Sequence, residues 1–152
     1  MKVTVLLRND HDVLKALFTK FNKPSSGKSQ NGKKDLFNEI RREIQVHAQM
    51  EREVFYPALS ATSSSEAAAV VTKAEQQHRS IEKLIQELNS MTGSEKTFET
   101  KMESMIDAVL EHIRMEEEEI FDEARKNLPE YRLEELGLEM EDRKKILVTL
   151  AA

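Results

Sequence analysis

The chain has 152 residues, with four histidines, four glycines, three prolines and neither cysteine nor tryptophan. That length suits one domain with a real core. The lack of cysteine excludes disulfides, thiolate zinc sites, iron–sulfur clusters and cysteine nucleophiles. Charged residues make up 34% and the formal net charge is −5, which argues against a nucleic-acid-binding surface. Scarce Gly and Pro favour long helices over a turn-rich β-sandwich.

The N-terminus carries only the short apolar run Val3-Thr4-Val5-Leu6-Leu7 before charge returns at Arg8. It is too short for a signal-peptide core or a membrane span, so a soluble cytoplasmic protein is expected, with no membrane partner. Lys15, Lys20, Lys23, Lys28, Lys33 and Lys34 give a local basic bias. Much of it lies in a loop-like stretch without aromatic residues, so it reads as a solvated surface.

Four segments repeat apolar residues at helical 3-4 spacing. A first helix is predicted over residues 4–22, with the stripe Leu7, His11, Leu14, Phe18 and Phe21. Residues 23–33, holding Pro24, Gly27 and Gly32, read as a loop. A second helix over 34–60 carries Phe37, Ile40, Ile44, His47, Glu51 and Val54. After the serine-rich stretch 60–65, a third over 65–90 carries Ala67, Val71, Ala74, His78, Ile81, Ile85 and Leu88. A fourth over 94–126 carries Phe98, Met102, Met105, Val109, His112, Glu116 and Ile120. The expected fold is all-α, an antiparallel up-down-up-down four-helix bundle over 1–126. Residues 127–152 follow as a C-terminal extension of one or two short helices, interrupted at Gly137 and packed on the bundle as part of a single domain.

Every histidine falls on a stripe, one per helix. His47 and His112 each have a glutamate four residues later, Glu51 and Glu116, and residues i and i+4 face the same way. Counting from the predicted loops, the histidines lie within about 9 Å of one level. A lone histidine on an apolar face is more often a hydrogen-bonded core residue. Two buried carboxylates are different, since each costs several kcal/mol unless compensated. No lysine or arginine lies on the stripes, so a metal ion is the expected counter-charge. Four imidazoles and two carboxylates suit iron best, ahead of manganese and zinc, and match hard cations such as calcium poorly. Two pairs on separate helices suit a two-ion cavity.

His11 within Asn9-Asp10-His11-Asp12, then His47-x-x-x-Glu51 followed by Val54-Phe55-Tyr56-Pro57, a single His78, and His112-x-x-x-Glu116 followed by Glu119-Ile120-Phe121, together resemble the hemerythrin-like (HHE) cation-binding domain. The tail over 133–144 is also similar to bacterial members. The resemblance implies a non-haem di-iron site with His11, His47, His78 and His112 as terminal imidazoles and Glu51 and Glu116 as bridging carboxylates. It further implies an oxo or hydroxo bridge or bound dioxygen or peroxide. The partners it implies are small molecules: dioxygen, peroxide or nitric oxide. The sequence carries no signature of an oligomeric state.

Oxygen carriers of this family have a second histidine on helix three, four residues before the first, where this chain has Ala74. Water, Glu75 or Tyr56 could fill the place. Glu75-x-x-His78 is a metal-binding spacing, but Glu75 sits at the stripe's edge, and Tyr56 reads as a helix-end packing residue. Carriers also place an acidic ligand five residues after the histidine, at Glu117 here; Glu116 lies on the stripe and is chosen, with Glu117 and Glu118 read as pointing outward. The expected function is binding, sensing or detoxifying dioxygen, iron or peroxide at this site. The lost imidazole favours a catalase- or peroxidase-like enzyme over a carrier. A ferritin-like iron-oxidising centre is the weaker rival.

Overall fold

The computed structural model describes residues 1–23 and 30–151, and every regular element among them is helical. Helix α1 spans Val3–Asn22. Helix α2 (Gln30–Met50) runs on through a π-helical segment, Glu51–Phe55, into α3 (Tyr56–Ser60). Helix α4 spans Ser65–Asn89. Helix α5 (Lys96–Met115) likewise passes through a π-helical segment, Glu116–Ile120, into α6 (Phe121–Asn127). These four rods form the antiparallel bundle, with α1 packed on α2 and α4 on α5.

The serine-rich loop ends in a working cap: Ser64 Oγ accepts from the Ala67 N–H at 3.1 Å, with Glu66 in the first turn of α4. Between α4 and α5 the chain turns at Gly93, whose φ is 93°. The Glu95 carboxylate gathers the N–H groups of Thr92 and Gly93 at 3.0–3.1 Å.

The structure corrects three expectations. Helix α2 begins at Gln30, so Gly32 and Lys33 lie inside it, a glycine costing only about 1 kcal/mol in a helix; the rest of the predicted loop, 24–29, falls outside the described residues. Lys34 is half-buried rather than solvated, and its ammonium donates to the carbonyl oxygens of Leu88, Asn89 and Met91 at 3.0, 3.1 and 2.5 Å. It thus closes the C-terminal end of α4. The C-terminal extension is one unbroken helix, α7 (Glu130–Ala151), of 22 residues. Gly137 does not interrupt it. A Cβ there would sit 1.8 Å from the Met1 carbonyl oxygen, so the glycine lets α7 press against the start of the chain.

Helix α7 packs across α1 and α2. The stripes are buried as expected, except that Phe21 and Val54 are only half-buried. The apolar interior falls into two clusters. One, around Phe55, Leu59, Phe121, Leu133 and Met140, includes α7. The other gathers Phe18, Phe37, Ile40, Phe98 and Met102 toward the opposite end. Between them lies a polar layer.

Candidate metal centre

That layer consists of the six residues expected from the stripes. His11, His47, Glu51, His78, His112 and Glu116 are all buried, both glutamates completely. Ligand atoms of His11, His47, Glu51 and Glu116 lie within 4.8 Å of one another, as do those of Glu51, His78 and His112. Glu51 belongs to both groups.

All four imidazoles turn Nε2 inward. His11 Nε2 lies 3.0 Å from Glu116 Oε1, and His47 Nε2 lies 3.4 Å from Glu51 Oε1 and 3.7 Å from Glu116 Oε1. On the other side, His78 Nε2 is 3.1 Å from Glu51 Oε1, and His112 Nε2 is 3.6 Å from Glu116 Oε2. The two Nε2 atoms of His78 and His112 face each other at 3.1 Å. Yet both oxygens of Glu51 and the Nε2 of His47 have no hydrogen-bond partner among the described residues. A fully buried carboxylate without a donor is expensive. Imidazole nitrogens and carboxylate oxygens converging on one point, three of them without hydrogen-bond partners, are what a cation requires, so the donor set fits bound metal.

The outward nitrogens are held. His11 Nδ1 lies 2.7 Å from Glu117 Oε2, His47 Nδ1 lies 3.2 Å from Asp10 Oδ2, and His112 Nδ1 lies 2.7 Å from Gln77 Oε1. These oxygens only accept, so each Nδ1 carries a proton, which leaves Nε2 as the nitrogen that can bind an ion once its own proton is given up. His78 Nδ1 alone among the four has no partner among the described residues. The supports are themselves anchored: Lys144 Nζ of α7 donates to Asp10 Oδ1 at 2.7 Å, and Arg8 donates to Glu117 at 3.1 Å.

The electrostatics follow from this packing. Burial pushes His47 toward the neutral form, but the Glu51 charge and contacts with Asp10 and Glu116 prevail and hold it well above 6.5. His112 is raised likewise, against burial, by Glu51 and Glu116. Burial works to raise Glu51, yet His47 pulls it well below 4.5. Tyr56 is pushed well above 10 by burial and by the Glu116 and Glu51 charges, so its hydroxyl stays a donor.

The sequence profile of the Hemerythrin HHE cation binding domain matches residues 3–124.

The chain belongs to the hemerythrin HHE cation-binding family.

A crystal structure of a hemerythrin HHE cation-binding domain-containing protein from Mycobacterium kansasii is similar, with a TM-score of 0.81 and 25% identity; the match covers 97% of this chain and 87% of that one. A Nostoc sp. protein named DNA nickase is 23% identical over 139 residues, 91% of this chain. The chain spans only 38% of that longer relative.

Within this hemerythrin-like site, two readings change. Glu117 does not point outward; its carboxylate binds His11 Nδ1. Tyr56 is more than a helix-end packing residue, since its hydroxyl donates to Glu116 Oε2 at 2.5 Å and lies 3.4 Å from His78 Nε2. It packs in the same apolar cluster as Ala74. Glu118 does face outward, paired with Arg114, and Glu75 is exposed.

The second change comes from a π-helical segment, and the other rod repeats it. The Tyr56 N–H donates to the Glu51 carbonyl and the Phe121 N–H to that of Glu116, five residues back. Each aromatic side chain therefore falls beneath its glutamate. Phe121 stacks on His11 with ring centres 6.1 Å apart and planes 8° apart. His47-Glu51-Tyr56 and His112-Glu116-Phe121 thus repeat one spacing, His-x3-Glu-x4-aromatic, which is the sequence signal that finds Tyr56. Asp10, Gln77 and Lys144 carry no comparable signal, because each acts on a residue of another helix.

Proposed function

We propose that His11, His47, Glu51, His78, His112 and Glu116 hold two iron ions, and that the protein handles dioxygen or peroxide at this centre in the cytoplasm. The observation that carries this reading is Glu51: fully buried, without a hydrogen-bond donor, and common to both ligand groups. A carboxylate so placed serves two ions at once. Bound iron supplies the electrons and the open coordination place that such guests need.

The chain's own residues do the rest. Glu51 and Glu116 supply negative charge to the ions. Glu117, Asp10 and Gln77 fix the tautomer and ring direction of three imidazoles. Tyr56 keeps a proton beside Glu116. Leu14, Ile44, Ile81, Val109 and Ile113 line a cavity of about 30 Å³ against the imidazoles, large enough for one small guest.

Protein expressed with iron is expected to carry close to two iron ions per chain, and the reduced form exposed to air to develop a visible band. Absence of metal from gently purified protein would overturn the reading.

An enzymatic role is favoured over a carrier by one observation. Where carriers have an imidazole, this chain has Ala74, and Tyr56 fills that side with a proton donor. A catalase- or peroxidase-like protein should evolve oxygen from, or consume, added peroxide, and Glu51→Ala should abolish it. A band that forms and reverses with oxygen pressure points to the carrier instead. No nucleic-acid partner is proposed for a chain of net charge −5, whatever its longer relative does; nicking of supercoiled plasmid by the iron-loaded protein would reverse that.

A further inference from the structure

The cavity beside the imidazoles must be reached from outside, and the structure places one wall where this can happen. A surface cleft of about 160 Å³ is lined by Arg52, Glu75, His78, Arg79 and Glu82. Three of these, Arg52, His78 and Glu82, also line the inner cavity. Two other surface clefts, one beside Gln77 and Ala108 and one beside Gln45 and Leu147, share no residue with it. Cavity and cleft therefore share these three side chains as a common wall.

They differ in how firmly they are held. Glu82 accepts from Gln45 at 3.2 Å, and Gln45 in turn accepts from Arg41. His78 is buried among the ligands. Arg52 is exposed, and no hydrogen bond or ion pair with the described residues fixes its guanidinium. It follows Glu51 in the π-helical segment, so its backbone is anchored to the site while the residue lines both cavity and cleft. His78 is also the imidazole whose Nδ1 lacks a partner: this flank has no carboxylate or amide clamped over the ring, unlike the other three.

The geometry points to a guest entry site between the Glu51–Phe55 segment and α4, with Arg52 as its movable gate. The cleft has two cationic and two anionic side chains, and the chamber behind it is apolar apart from the imidazoles and the shared Arg52 and Glu82. That combination suits a small uncharged guest, dioxygen or hydrogen peroxide, rather than an anion. The inference rests on the di-iron reading for its destination, but the route is a property of the walls.

The test is stopped-flow binding of nitric oxide, an uncharged diatomic, to the reduced iron-loaded protein. Shortening the gate with Arg52→Ala should raise association about threefold or more, and Arg52→Trp should slow it about tenfold. Dissociation should change by the same factor in each, so the equilibrium constant stays within about twofold, as gating demands and a perturbed site does not. Ser80→Trp, in the cleft beside Gln77, should change neither rate. Iron content and far-UV circular dichroism establish that each variant is folded and loaded. Unchanged rates in both Arg52 variants overturn the entry site, as does equal slowing by Ser80→Trp. Failure of the native protein to bind iron or nitric oxide overturns the di-iron reading itself.

Discussion

Tyr56 and Glu116 stand on different rods of the bundle, yet the Tyr56 hydroxyl lies 2.5 Å from Glu116 Oε2. Among the described residues it is the one hydroxyl bonded to the paired carboxylates. A hydrogen bond to a charged acceptor contributes about 1.5–3 kcal/mol, and leaving that acceptor bare costs on the same order. Tyr56→Phe should lower the urea midpoint of the metal-free protein at unchanged slope. It should also alter the visible spectrum of the iron-loaded form. An unmoved midpoint would show that the hydroxyl is dispensable.

Lys144 acts on the centre from a helix that supplies no ligand. Its ammonium grips Asp10, and Asp10 holds His47 Nδ1. Lys144→Met should loosen metal by about tenfold in a chelator competition, within the range usual for residues that orient ligands. Lys144→Arg should restore most of it. Equal affinity in all three proteins would remove Lys144 from the site.

Metal and protons compete for His47 and His112, because an imidazole must be neutral to bind an ion. Both are raised above 6.5 in the metal-free protein, His47 strongly. Metal affinity should therefore climb as pH rises from 6.5 through the raised His47 value, and adding zinc at pH 7 should release on the order of one proton per chain. The metal-free fold has the opposite trend. The stabilisation from the two raised histidines is fully present below 6.5 and is lost as pH rises through their folded values. That from Glu51, depressed below 4.5, is present above 4.5 and is lost as pH falls through its folded value. Metal-free protein should thus be most stable between these limits, in mild acid; chemical denaturation across pH checks the sign.

Gly137 carries a different kind of constraint. A methyl group there meets the Met1 carbonyl oxygen at 1.8 Å, so Gly137→Ala must push α7 and the start of α1 apart. We expect a loss of about 1–3 kcal/mol, or roughly 3–10 °C in Tm, despite alanine's better helix propensity. A rise in Tm would mean that the chain start yields freely.

Glu75→Ala separates the candidates for the missing imidazole. Glu75 is exposed, so its removal should leave iron content unchanged and stability within about 0.5 kcal/mol. Loss of one iron per chain would make Glu75 a ligand after all.

The six converging residues were legible because they depend on helical periodicity alone: each is on its stripe, and each glutamate follows its histidine by one turn. The supports were not. On a regular helix Tyr56 lies about 140° round from Glu51, which reads as packing; only the wider π-helical turn brings it into line. Gln77 sits beside His78 in sequence but serves His112 on the next rod. Asp10 precedes His11 yet holds His47, and its own anchor comes from 134 positions away. Such pairings are set by how rods pack, which no single stripe records. Gly137 misled for a related reason, since its role is a close approach between distant segments.

The polar layer also divides the apolar interior, with Phe98 and Met102 in one cluster and Leu133 and Met140 in the other. The two halves can therefore drift apart in evolution almost independently. Paired substitutions, one in each half, should have additive effects on stability, whereas pairs within a half should not. The end that carries α7 is tied to the ligands through Lys144 and Asp10, so the opposite end, around Phe98 and Met102, is the one that can be rebuilt with less effect on the centre.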